Sequence, residues 1–61
     1  MNAKLKIQNS INFLTITAFT MKESVFLLNR AVIRYNIDFA HFTGLITAEE
    51  RAEFIRQLNN I

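Results

Sequence analysis

Residues 20–44 read TMKESVFLLNRAVIRYNIDFAHFTG, and their apolar side chains recur at helical spacing. Steps of four and three residues alternate without a break through one set of positions, which is a heptad pattern. The members of this heptad seam are Met21, Val25, Leu28, Val32, Tyr35, Phe39 and Phe42. The pattern predicts one long helix over residues 20–43 that packs its seam against other apolar side chains.

Both ends of this predicted helix carry local signals. Thr20 and Glu23 have the spacing of a capping box, in which each side chain bonds the backbone N–H of the other residue. Gly44 is the only glycine, and it stands where a helix often ends in a left-handed residue. Between these ends we expect an unbroken helix, with Arg34 and Asp38 paired one turn apart.

A second apolar stripe lies on nearly the opposite side of the same helix, about 130° from the heptad seam. Because a helix that is apolar on two sides is covered on two sides, this stripe predicts an oligomer or partner interface. Its members are Phe26, Ile33, Ile37 and Ala40. Asn29 and Asn36 fall between the stripes, either as solvated edge residues or as a polar pair that sets the register of a coiled coil.

The length of the chain also favours assembly. A single domain of 61 residues buries only about 60% of its unfolded surface, so its stability is marginal without a further device. The chain has no cysteine and one histidine, which excludes disulfides and a histidine-rich metal site. Oligomerisation is the remaining way to stabilise so short a chain, and a hydrophobic content of 51% is consistent with it.

The first 19 residues admit two structures. Residues 3–8, AKLKIQ, alternate apolar and polar side chains, and residues 11–19 are rich in β-branched and aromatic residues, which together predict a β-hairpin over residues 1–19. A helix is the competing interpretation, because one set of apolar residues also fits helical spacing. That set is Ala3, Ile7, Ile11, Leu14 and Ala18.

A second helix is predicted over residues 47–60. Thr47 and Glu50 form another capping box, and the short connection after Gly44 makes an antiparallel αα-hairpin. The phrase GLITAEE, residues 44–50, resembles the turn in short C-terminal helical hairpins of the SHOCT type. The resemblance covers the turn and its flanks and implies no functional residues.

Together these elements predict one α+β domain over residues 1–61. A short N-terminal β-hairpin precedes an αα-hairpin with a long first helix, and the whole is oligomeric. An all-α helical bundle is the alternative.

Charge is unevenly distributed along the chain. Residues 1–37 contain five basic residues and one acidic residue, whereas residues 38–61 contain two basic and four acidic residues. The formal net charge of the chain is +2. The basic side chains that could share a patch for nucleic acid are Lys4, Lys6, Arg30, Arg34 and His41. No uncharged apolar run is long enough for a transmembrane helix, so we expect a cytoplasmic protein without a membrane partner.

No motif for catalysis, metal binding or a cofactor is present, and we expect a non-enzymatic protein. The favoured function is a protein-binding module acting as a homo-oligomer, such as an inhibitor or adaptor from a phage or mobile element. A DNA-binding transcriptional regulator is the alternative. The third hypothesis is an oligomer that sequesters a nucleotide, stacked on Tyr35, Phe39 and Phe42 beside Arg34 and His41.

Overall fold

The computed structural model describes residues 2–61, which form three α-helices in a body of 33 × 18 × 16 Å. These are α1 (Ala3–Thr17), α2 (Glu23–Phe42) and α3 (Ala48–Asn59), with one 3-10 turn at Ala18–Thr20 between α1 and α2. α1 and α3 both pack against α2. No strand occurs within residues 2–61, so the α+β prediction is wrong and the fold is the helical bundle named as its alternative.

The N-terminal segment is helix α1, not the predicted β-hairpin; Met1 lies outside the described residues. Ile7, Ile11 and Leu14 follow helical spacing and are all buried against the other helices. A strand would have placed Ile11 and Leu14 on opposite faces, so that only one of them reached the core. The burial of Ile7, Ile11 and Leu14 together outweighs the strand preference of the β-branched residues around them.

Local hydrogen bonds also support α1. The Asn2 side chain accepts from the backbone N–H groups of Lys4 and Leu5, at 3.0 and 3.4 Å, and so caps the first turn. The hydroxyls of Thr15 and Thr17 each donate to the carbonyl four residues earlier, at 2.8 Å. These threonines therefore satisfy their polar groups within the helix.

Helix α2 runs unbroken through Ile37 and Asp38, as predicted, but it begins later than Thr20. Met21 and Lys22 are extended, with Lys22 at the N-cap and no side-chain capping bond. The Thr20 hydroxyl instead donates to the Thr17 carbonyl at 2.8 Å. The predicted Thr20–Glu23 capping box is therefore wrong, because Thr20 belongs to the turn that reverses the chain after α1.

Helix α2 ends as predicted, with Gly44 at φ +80°. The Leu45 N–H donates to the Ala40 carbonyl at 2.8 Å, and the Gly44 N–H donates to the His41 carbonyl at 3.0 Å. This pair of bonds is the Schellman motif. It carries the chain directly into Ile46, which is buried in the core.

Helix α3 opens with the predicted capping box. The Thr47 hydroxyl accepts from the Glu50 N–H at 3.1 Å, and the Glu50 carboxylate accepts from the Thr47 N–H at 2.8 Å. Phe54 and Leu58 are the side chains that α3 buries. The helix therefore adds these two side chains to the core that α1 and α2 share.

The core contains the stripe that was predicted as an oligomer interface. Ile33, Ile37 and Ala40 are buried against α1 and α3, Ile37 completely, and Phe26 packs at the edge of this cluster. Ile33, Ile37 and Ala40 are covered by their own chain and are not available to a partner in this fold, which corrects that prediction; Phe26 is partly covered. The heptad seam faces outward instead, apart from Met21, which packs against the core. The buried residues are Ile7, Ile11, Leu14, Ile33, Ile37, Ala40, Ile46, Phe54 and Leu58.

We expect Gly44→Ala to lower the free energy of unfolding by about 1 kcal/mol, because only glycine adopts positive φ without a Cβ penalty. A Cβ at this position meets no atom within 4 Å, so backbone strain alone accounts for the loss. Gly44→Asn should lose less. Thermal unfolding followed by circular dichroism measures the difference, and an alanine variant as stable as the parent contradicts it.

We expect Ile33→Asp to abolish cooperative folding, because a carboxylate would replace an apolar side chain inside the core. Its neighbour Val32 is about half exposed, so Val32→Asp is the matched control and should keep a helical spectrum with a cooperative thermal transition. Far-ultraviolet circular dichroism separates the two variants. The assignment of the two faces of α2 is wrong if Val32→Asp unfolds the chain and Ile33→Asp does not.

Candidate functional site

The surface carries an apolar stripe along α2. Six members of the heptad seam are exposed to solvent, from Val25, which is 43% exposed, to Phe42, which is 88% exposed. We call this set the exposed stripe. It consists of Val25, Leu28, Val32, Tyr35, Phe39 and Phe42. At about 1.5 Å per residue, it runs for roughly 26 Å along the helix.

The exposed stripe borders a groove between α1 and α2 with a volume of about 200 Å³. Ile7, Ile33 and Ala40 line its floor, and Phe39 and Leu45 contribute exposed apolar surface at its edge. A neighbouring depression places Phe13 of α1 beside Val32 of the stripe. The apolar surface therefore extends from α2 across to α1.

Sequence reasoning missed Phe13 and Leu45 as members of this surface. Phe13 lies within the predicted β-hairpin, and its position on the surface follows only from the helical structure of α1. Leu45 follows Gly44, so the Schellman turn determines which way it faces. The heptad seam is evident from its spacing in the sequence, but spacing alone does not predict whether the seam is buried or exposed.

Charged contacts concentrate on α3 and the sides of α1 and α2 next to it. Asp38 of α2 accepts from Arg51 of α3 at 2.8 Å, and Lys4 of α1 pairs with Glu50 of α3 at 2.7 Å. Gln8 and Gln57 add a hydrogen bond between α1 and α3 at 2.8 Å. The molecule therefore separates a polar side, centred on α3, from an apolar side, centred on the exposed stripe.

The carboxylates of α3 serve its structure. Glu50 caps the helix and bonds Lys4, whose hydrogen bond is the main cause that lowers the pKa of this carboxyl. Hydrogen bonds from Arg56 and then Gln57 lower the pKa of Glu53 to about 2. Both groups are thus held ionised, which is unfavourable for a general acid. Among the described residues, no three histidine or acidic side chains lie close enough to hold a metal ion.

The basic side chains predicted as one patch lie apart and mostly have partners. Lys4 pairs with Glu50, Arg34 contacts Asp38 at 3.4 Å, and the Arg30 guanidinium lies over the Phe26 ring, 5.6 Å from its centre. Lys6 lines the groove between α1 and α2, whereas His41 is exposed near the end of α2. The structure does not bring these five together.

The aromatic side chains predicted to stack a nucleotide belong to the exposed stripe. The rings of Tyr35 and Phe39 stack on each other, with centroids 6.2 Å apart and planes 20° from parallel. Phe42 stands exposed one turn further along. Arg34, one of the two cations predicted beside these rings, contacts Asp38 at 3.4 Å.

Within residues 2–61, no helix combines the length and apolar character needed to cross a membrane. Comparison with protein-family models, curated proteins and solved structures gives no match to this chain. What the protein binds must therefore be inferred from its own surface.

We expect the Asp38–Arg51 contact to stabilise the fold at neutral pH by at most about 1 kcal/mol, because both groups are partly exposed. The hydrogen bond from Arg51 is the main cause that lowers the pKa of Asp38 in the folded chain. A lowered folded pKa means that the contribution is present above the unfolded value of 3.8 and is lost as the pH falls through the folded value.

Urea unfolding of the parent and of Asp38→Asn tests this expectation. The free energies of unfolding should differ at pH 7 and converge as the pH falls below the unfolded value of 3.8. A constant difference across that range would show that the charge of Asp38 is not responsible.

Proposed function

We propose that this protein is a protein-binding module whose working surface is the exposed stripe of α2. The observation that carries the proposal is the exposure of six large apolar side chains in one unbroken heptad pattern. Large apolar patches on a small chain commonly mark interaction surfaces, since leaving them in water is unfavourable. The occupant is a protein helix, either from another protein or from a second copy.

The shape of the surface supports a helical occupant. The exposed stripe lies on a continuous helix and is bordered by a groove. An amphipathic helix docks on such a surface through side chains at positions i, i+3, i+4 and i+7, which is the spacing that the stripe itself presents. Tyr35, Phe39 and Phe42 provide aromatic anchors of the kind that dominate binding energy.

A non-enzymatic role is part of the same proposal. The carboxylates of α3 are bonded to Lys4, Arg56 and the helix N-terminus, and their lowered pKa values favour a structural role. Binding to nucleic acid receives less support, because the candidate basic residues lie apart and several pair with acidic side chains. Nucleotide capture receives less support for the same reason at Arg34.

We expect Leu28→Glu to abolish the retention of protein partners, since it places a charge in the middle of the exposed stripe. The matched control is Leu5→Glu, the same chemical change on α1 at a residue 59% exposed and outside the groove. The immobilised parent and both variants are incubated with extract from the expressing cells, to which a differently tagged copy of the chain is added.

Proteins retained by the parent and by Leu5→Glu, but not by Leu28→Glu, agree with the proposal, and the tagged copy counts among them. Circular dichroism of all three chains excludes unfolding as the cause. A retained set that is the same for the parent and for Leu28→Glu contradicts the proposed function.

A further inference from the structure

We propose that the occupant of the exposed stripe is the same stripe of a second copy, with the two α2 helices antiparallel about a two-fold axis. This inference rests on the proposed function and names its partner. The exposed stripe has the heptad spacing of a coiled coil, with Val25, Val32 and Phe39 at positions a and Leu28, Tyr35 and Phe42 at positions d. A second helix with the same spacing is its geometric complement.

The order of side chains along the stripe favours the antiparallel arrangement. Its N-terminal half is aliphatic, with Val25, Leu28 and Val32, whereas its C-terminal half is aromatic. In a parallel pair, identical residues meet, so small layers would gather at one end and bulky aromatic layers at the other. The helices would then have to splay apart, which leaves the aliphatic end poorly packed.

An antiparallel pair centred between Ile33 and Arg34 places each a position against a d position of the second copy. The facing pairs are then Val25 with Phe42, Leu28 with Phe39, and Val32 with Tyr35. Every layer joins one aliphatic side chain to one aromatic side chain, so the distance between the helices stays uniform along the whole stripe. The two-fold axis repeats each pair with the roles exchanged.

The flanks of the stripe are compatible with this pairing. They are Ser24, Ala31 and Asp38 on one side and Asn29, Asn36 and Thr43 on the other. In the antiparallel register the nearest residue to Asp38 on this flank of the second copy is Ala31, so no two like charges meet. Asp38 is also already bonded to Arg51 and Arg34 of its own chain.

Asparagine side chains meet on one flank of this interface. In this register Asn36 lies nearest Asn29 of the second copy, with an offset of about 3 Å along the helix. The Asn29 amide nitrogen donates to the Val25 carbonyl at 2.8 Å, which leaves its oxygen able to accept from the Asn36 amide. Asn36 and Asn29 therefore supply the polar pair that favours this register, as polar residues do in coiled coils.

The available area fits a dimer of modest stability. An aromatic side chain buries about 150–250 Å² when fully covered, so the six exposed side chains of the stripe supply roughly 500–600 Å² per copy. Two copies then bury roughly 1,000–1,200 Å², the lower end of specific interfaces. Contacts from Phe13 and Leu45 beside the stripe would add to this area. Dissociation on dilution is therefore expected.

Sedimentation equilibrium of the purified full chain tests the partner. The parent should weigh twice 7.1 kDa at high concentration and dissociate on dilution. Leu28→Glu should raise the dissociation constant more than about tenfold with an unchanged helical spectrum, and Leu5→Glu should leave it unchanged. A parent that is monomeric at roughly 500 µM overturns the inference.

Disulfide trapping tests the orientation, and the chain has no cysteine of its own to interfere. Val25→Cys and Phe42→Cys chains are mixed and oxidised. An antiparallel dimer gives the mixed disulfide, since identical positions lie roughly 26 Å apart. Disulfides between identical positions in each single variant would indicate a parallel dimer and overturn the antiparallel arrangement.

The two proposals fail in different ways. A monomeric chain that still retains another protein through the stripe overturns the second copy as occupant and leaves the proposed function intact. A monomeric chain whose stripe binds vesicles of anionic lipid but no protein overturns both. A monomer whose stripe binds neither a protein nor a vesicle also overturns both proposals.

Discussion

The buried face of α2 is the place where the other two helices meet, and the rest of the fold depends on covering it. Ile33, Ile37 and Ala40 lie in one buried cluster with apolar side chains of α1 and α3, and Ile37 has no exposed surface. The covering helices have 15 and 12 residues, whereas α2 has 20. Two short helices cannot surround a longer one. A chain of 61 residues therefore leaves one side of α2 open to solvent.

This constraint separates the surface into two kinds. Where α3 meets its neighbours near solvent, the contacts are polar, and they are Asp38–Arg51, Lys4–Glu50 and Gln8–Gln57. The open side of α2 carries aliphatic and aromatic side chains instead, and Asp38 is the one charged residue on its flanks. Exposed ion pairs contribute little to stability, but their charged groups are compatible with water. The apolar side is the surface whose burial by a partner would be most favourable in free energy.

The sequence predicted the features that depend on neighbouring residues. The capping box at Thr47 and the positive φ of Gly44 need only a few local atoms, and both are present. The predicted roles of the two faces of α2, one buried by the chain and one exposed, are the reverse of those observed. Each face is apolar at helical spacing, and only long-range packing decides which one the chain covers. α1 was assigned to strands for a related reason. Its β-branched residues favour a strand locally, but burial of Ile7, Ile11 and Leu14 together requires a helix.

The spacing of the exposed stripe also links binding to stability. The covered face at Phe26, Ile33, Ile37 and Ala40 has the same spacing but is interrupted by Arg30, whereas the exposed stripe is apolar at every heptad step from Val25 to Phe42. Heptad steps matter when a helix packs against another helix over many turns. A core of nine buried residues gives a small chain limited stability, and any partner that binds only the folded form adds to it. Binding of a partner to the exposed stripe and folding of the chain are then coupled equilibria, because α2 takes part in both.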